Sequence, residues 1–148
     1  MRFLFVALLA LLPLRLGISA EPDSAGDAEK VDPLLYEVAS GGEWETTDEH
    51  GDYRVLIFNG GYEHVSSQVY LQWLTHSPEG AHVVRSVLIA ELSSGAWSVG
   101  IAAPFFGKPP TIRLHASRTY ESKNARFSLK PGALGEYVLR EFSSRKAK

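Results

Sequence analysis

From Leu34 onward, apolar and polar residues alternate with period two, and Gly, Pro, Asn and Ser break the alternation at short intervals. A strand sends successive side chains to opposite faces, so this pattern predicts antiparallel strands joined by tight turns. Residues 53–58 (Tyr-Arg-Val-Leu-Ile-Phe) form a β-rich run closed by Asn59-Gly60-Gly61, where Asn-Gly tolerates positive φ and favours a reversal. Next, Val65, Ser67, Val69, Leu71 and Trp73 share one face of a long strand, with Ser66, Gln68, Tyr70 and Gln72 on the other. The first set reads as buried and the second as mostly wet.

Ser77-Pro78-Glu79-Gly80 suits a tight turn into a second long strand over 82–92. Val83, Val87 and Ile89 lie with Arg85 on one side of it, and Val84, Leu88, Ala90 and Leu92 on the other. Two largely apolar faces predict a central strand. Ser93-Ser94-Gly95 then turns the chain into 96–103, where Trp97, Val99 and Ile101 alternate with small residues, so the reading is one continuous meander. Further strands are expected over 111–120, 125–130 and 136–142. No stretch after residue 20 shows helical apolar spacing of useful length. Seven or eight strands in one all-β domain, residues 34–142, predict an antiparallel two-sheet sandwich, with a small closed barrel as the alternative.

The segment 129–139 joins a strand, a Pro131-Gly132 corner and Tyr137. It resembles the corner of immunoglobulin-like and fibronectin-like sandwiches, although the Cys and Trp marks of true immunoglobulin domains are missing. That resemblance implies a Tyr hydroxyl tying the bend to the backbone. It concerns architecture and says nothing of function.

The N-terminus has a different character. Arg2 precedes twelve residues, 3–14, that are apolar apart from Pro13, and Gly17-Ile18-Ser19-Ala20 follows. A basic start, a short apolar run and a small residue at the edge form the layout of a secretory signal peptide, with cleavage expected after Ala20. A spanning helix needs about 20 apolar residues, and Arg15 interrupts this run too early. Cleavage leaves 128 residues, ample for one unstapled core. Residues 21–33 read as a flexible acidic lead-in and 143–148 as a basic tail.

The full chain carries a formal charge of −2, and the processed chain 13 basic against 17 acidic residues, a net of −4. This average excludes the broad basic character of nucleic-acid binders, so no nucleic-acid partner is expected. Cysteine is absent, which removes disulfides, thiolate metal sites, redox motifs and lipid attachment at an N-terminal Cys. Neither Asn lies in a glycosylation acceptor. Together these features point to a bacterial protein of the periplasm or external medium, with no stable membrane insertion after cleavage.

Candidate chemistry is sparse. His50, His64, His76, His82 and His115 never stand two, three or four residues apart, so no strand offers a ready imidazole pair, and no metal site is expected. Glu43, Glu45, Asp48, Glu49 and Asp52 crowd a stretch, 41–52, read as a solvated acidic loop lacking the spacing of a calcium loop. There is no Gly-x-Ser-x-Gly elbow and no phosphate loop leading into a helix, so no catalytic residue and no cofactor is assigned. Two places stand out. Gly60-Gly61-Tyr62-Glu63-His64 puts an aromatic, an acid and an imidazole on one turn, and Phe105-Phe106 lies in a loop made rigid by Pro104, Pro109 and Pro110. The functional expectation is a non-catalytic binding module of the cell envelope, contacting a protein or glycan through Tyr62, Glu63, His64, Phe105 and Phe106. The alternatives are a cofactor-free hydrolase of envelope polymers and a structural accessory subunit.

Overall fold

The computed structural model describes residues 30–78 and 80–142. The expected signal peptide, most of the acidic lead-in and the basic tail lie outside the described residues. Among the described residues there are eight strands: β1 (Leu35–Glu45), β2 (His50–Gly60), β3 (Ser66–Ser77), β4 (Gly80–Leu88), β5 (Trp97–Phe106), β6 (Thr111–Arg118), β7 (Asn124–Pro131) and β8 (Tyr137–Glu141). They form two antiparallel four-stranded sheets, β1-β2-β3-β4 and β5-β6-β7-β8, which is the expected sandwich and not a closed barrel. Among the described residues no helix is long and apolar enough to cross a membrane.

Alternation decides which face of each strand goes inward. Tyr53, Val55 and Ile57 of β2 and Ser67, Val69, Leu71 and Trp73 of β3 are buried. Val99 of β5, Ile112 and Leu114 of β6, and Phe127 and Leu129 of β7 meet them in one continuous core. The two inner faces thus remove their apolar rows from water together, the main favourable term in a fold of this kind. Each sheet is a simple meander, and the chain passes between them once, over residues 89–96. This order is not the interleaved Greek key of immunoglobulin domains.

Three expectations are corrected here. The acidic stretch 41–52 is not a loop: it supplies the end of β1 and the start of β2, joined by a short turn. A register shift between Gly41 and Glu43 breaks the alternation and hides β1 from a period-two reading. The 82–92 segment is not a central strand either. β4 lies at the edge of its sheet and ends at Leu88, leaving Val83 and Leu88 exposed. Ile89 and Leu92 are apolar because the crossover itself is buried, with the Ile89 N–H donating to the Val69 carbonyl. The meander therefore breaks at 89–96, and Trp97 begins the second sheet. Lastly, Phe105 and Phe106 end β5, and the turn falls after them.

The edge of β5 faces β1 and β3 without a shared ladder, and side chains there replace strand hydrogen bonds. The Val99 N–H donates to the Ser67 hydroxyl at 2.8 Å, Ser67 donates to Asn59 Oδ1 at 2.6 Å, and the Ile101 N–H donates to the Glu37 carboxylate. Satisfied in this way, the edge offers no free donor at either position to a stray strand. Replacing Ser67 by Ala is expected to cost about 1–3 kcal/mol, because it strands the buried Val99 N–H. Urea unfolding checks this, and an unchanged midpoint would count against the bridge.

Tyr137 does tie the β7–β8 corner down, but mainly to a side chain: its hydroxyl donates to Glu91 Oε2 at 2.7 Å on the crossover. Burial first, then this bond and the carboxylate charge, raise the Tyr137 pKa above its ordinary 10.0, against a smaller lowering by the Ala90 backbone. Burial raises that of Tyr53 as well. A raised acid pKa means the fold favours the protonated phenol. That contribution is complete below pH 10 and is lost as pH climbs through the raised values. Stability is therefore expected to fall above about pH 10, with a shallower fall in Tyr137→Phe, measured by denaturant midpoints across the alkaline range.

Candidate functional site

The two outer faces differ sharply. On β1–β4, register places Val38, Leu56, Tyr70 and Leu88 side by side in an apolar row across all four strands. The neighbouring row, Ser40, Arg54, Gln72 and Ser86, is polar, with Arg54 Nε donating to Gln72 Oε1 at 2.9 Å and Gln72 Nε2 to Ser86 Oγ at 3.3 Å.

The outer face of β5–β8 is cationic. Arg113 and His115 point outward from β6, Arg126 and Lys130 from β7, and Arg140 from β8, each alternating with the buried rows of its strand. Cross-strand register sets Arg113 beside Ser128, His115 beside Arg126, and Ser128 beside Arg140. Among the described residues, none of Arg113, Arg126, Lys130 and Arg140 forms an ion pair. The Arg113 guanidinium is held between two rings, with Cζ 4.9 Å from the Phe106 centroid and 5.9 Å from that of Phe142. Cation–π contact of this kind orients the group without neutralising it. Opposite His115, Gly100 leaves the space its ring needs, since a Cβ there would stand 2.5 Å from His115 Cε1.

Three shallow depressions run along this face, of about 440, 400 and 770 Å³. The first two share Arg113 and Phe142, and the second and third share His115, Arg126 and Phe142, so they form one track. Glu141 lines its two ends, the one acid among the lining residues.

The residues singled out in the sequence divide as follows. Phe105 is half-buried, stacked on Tyr53 with centroids 6.0 Å apart, and plugs the space between the sheets. Phe106, 41% exposed, turns the other way and bounds the cationic track beside Arg113. Tyr62 is 99% exposed at the tip of the β2–β3 turn, and Glu63 is exposed beside it. The His64 ring packs on Tyr120 at 4.8 Å, in the β6–β7 turn that also carries Lys123. Phe106 and Tyr120 thus adjoin opposite ends of β6. The two places bracket the track; they do not meet in one pocket. The track itself escaped sequence reasoning because net charge averages it away. The signal available was the outward set Arg113, His115, Arg126, Lys130 and Arg140, readable only once three strands are in register.

Two histidine contacts bear on catalysis. His76 Nε2 lies 2.9 Å from Asp52 Oδ2, and His82 Nε2 lies 3.0 Å from Ser77 Oγ. The imidazole touching the hydroxyl is therefore not the one touching the carboxylate, and all four side chains sit at a solvent-facing sheet end with the Ser77 hydroxyl also donating to the Gly80 carbonyl. A nucleophile, base and orienting acid in series are not assembled there. Among the described residues no group of three or more His, Asp or Glu side chains converges on a metal position. Searches of protein-family models, curated proteins and solved structures found no match to this chain.

Proposed function

We propose that this protein is a non-catalytic binding module, exported to the bacterial envelope or beyond, whose ligand lies on the outer face of β5–β8. The observation that carries the reading is the unpaired cationic face around Arg113, Arg126, Lys130 and Arg140 in a chain of net negative charge. Four like charges on one sheet repel one another, and with Glu141 the one acid among the lining residues and none of the four in an ion pair among the described residues, their clustering serves stability poorly. A ligand of opposite charge accounts for their clustering on one face. Phe106 supplies an apolar border at one end, and Tyr62, His64 and Tyr120 supply an accessory aromatic contact at the other. Separate histidines for Ser77 and Asp52 favour binding over hydrolysis.

Reversing charge at Arg126 and Arg140 together (R126E/R140E) is expected to abolish association of the exported protein with its envelope fraction. Both side chains are exposed, so the melting temperature should move by no more than about 3 °C. Unchanged association in a folded double variant would overturn the proposal. Mass spectrometry of the exported chain should find Glu21 as its first residue, and a product retaining residues 1–20 would overturn the export reading.

A further inference from the structure

We infer that the ligand of this face is a linear acidic polysaccharide lying along β6 and β7, an assignment that rests on the face being the ligand surface. Shape is the first ground. The three depressions join in series through shared lining residues into one elongated track. From Asn124 to Lys130 it follows seven residues of β7, roughly 20 Å at ~3.3 Å per residue. A chain of repeating units can occupy that length and reach all four cations, whereas a single phosphate or carboxylate seated beside Arg113, Lys130 and Arg140 would leave Arg126, in the neighbouring depressions, unengaged.

The order of side chains is the second ground. Outward positions read Arg113, His115, Ser117 along β6 and Asn124, Arg126, Ser128, Lys130 along β7. Cations are thus interspersed with hydroxyl and amide groups, and register puts Arg113 beside Ser128 and Ser117 beside Asn124. A uronate polymer presents carboxylates among neutral hydroxyls and matches both kinds of group. Arg gives two parallel bonds to a carboxylate, while Ser and Asn exchange bonds with hydroxyls. Nucleic acid fits less well: successive bases need open aromatic platforms, and the two rings on this face, Phe106 and Phe142, are turned to Arg113. A lipid surface fits less well too: the rings Phe106 and Phe142 are engaged with Arg113, and among the described residues no amphipathic helix lies beside them, although Leu134 and Val138 are exposed nearby.

The test is titration of the purified exported chain with alginate, neutral dextran, single-stranded DNA and phosphatidylglycerol vesicles. Alginate should bind and dextran should not. Neutralising about three charges should weaken alginate binding ten- to a hundredfold between about 50 and 200 mM NaCl. R126E/R140E should lose at least tenfold in affinity, and R126K/R140K should recover most of it. If DNA or vesicles bind more tightly than alginate and R126E/R140E loses that binding, the polysaccharide assignment is wrong while the ligand face stands. If alginate binds equally to the native chain and to R126E/R140E, both fall together.

Discussion

Replacing Trp73 by Ala is expected to remove about 3–5 kcal/mol of stability, the cost of emptying a fully buried aromatic site. The ring has no solvent exposure and packs edge-on against Tyr53 with centroids 5.9 Å apart. It sits in β3, with Tyr53 and Arg85 as its partners on either side, so the void would open between strands that cannot readily close over it. Domains of this size hold only some 5–15 kcal/mol in total, so the variant should be largely unfolded at moderate urea. Trp73→Phe makes the informative contrast. The Trp73 indole N–H is buried without a hydrogen-bond partner among the described residues. Phe keeps most of the ring and removes that unsatisfied group, so it should cost less than about 2 kcal/mol. A loss below about 1 kcal/mol for Trp73→Ala in urea unfolding would show that the two inner faces do not depend on this ring.

Gly51→Ala is expected to cost about 3 kcal/mol or more, which is unusual for the addition of a single methyl group on a strand. Gly51 is buried in β2 opposite Thr75, and a Cβ there would be driven into the Leu74 carbonyl oxygen. That oxygen also accepts from Trp44 Nε1 at 3.0 Å, and the Asp52 carbonyl accepts from the same indole at 3.1 Å. One methyl group therefore pushes β2 from β3 and loosens the Trp44 bond that fastens β1 to both. Gly60 provides the control, because a Cβ there meets nothing within 4 Å. Gly60→Ala should leave the urea midpoint almost unmoved. Equal, small effects at both positions would show that the strands yield without penalty.

The strands easiest to read were those whose alternation matches one buried face. In β3, Ser67, Val69, Leu71 and Trp73 go inward as their spacing indicates. Here even the buried Ser is informative, since its hydroxyl crosses to Val99. β1 was hidden by its own bulge and by its acids, because Glu37 works as an acceptor for Ile101 in place of a ladder partner. The 82–92 stretch misled for a related reason. Apolar character marks burial and does not say whether a strand face or a crossover is being buried.

Of the candidate site, Phe106 and Tyr62 were visible as aromatic residues in unusual surroundings. Their relation to Arg113, Arg126, Lys130 and Arg140 was not, since those cations are scattered over 28 positions of sequence among nearby acids such as Glu121, Glu136 and Glu141.

Local rules of period and turn chemistry were enough to determine an all-β domain with two inner apolar faces, because side-chain alternation and chain reversal depend on neighbours in sequence. Which strand lies at an edge, where the chain changes sheets and which charges share a face were decided only by tertiary structure. Strand pairing fixes those relations between residues far apart, and one residue of register moves every cation on a strand to the opposite side. The register of β6, β7 and β8 accordingly gathers Arg113, Arg126, Lys130 and Arg140 on one outer face, which no local pattern in the sequence marks.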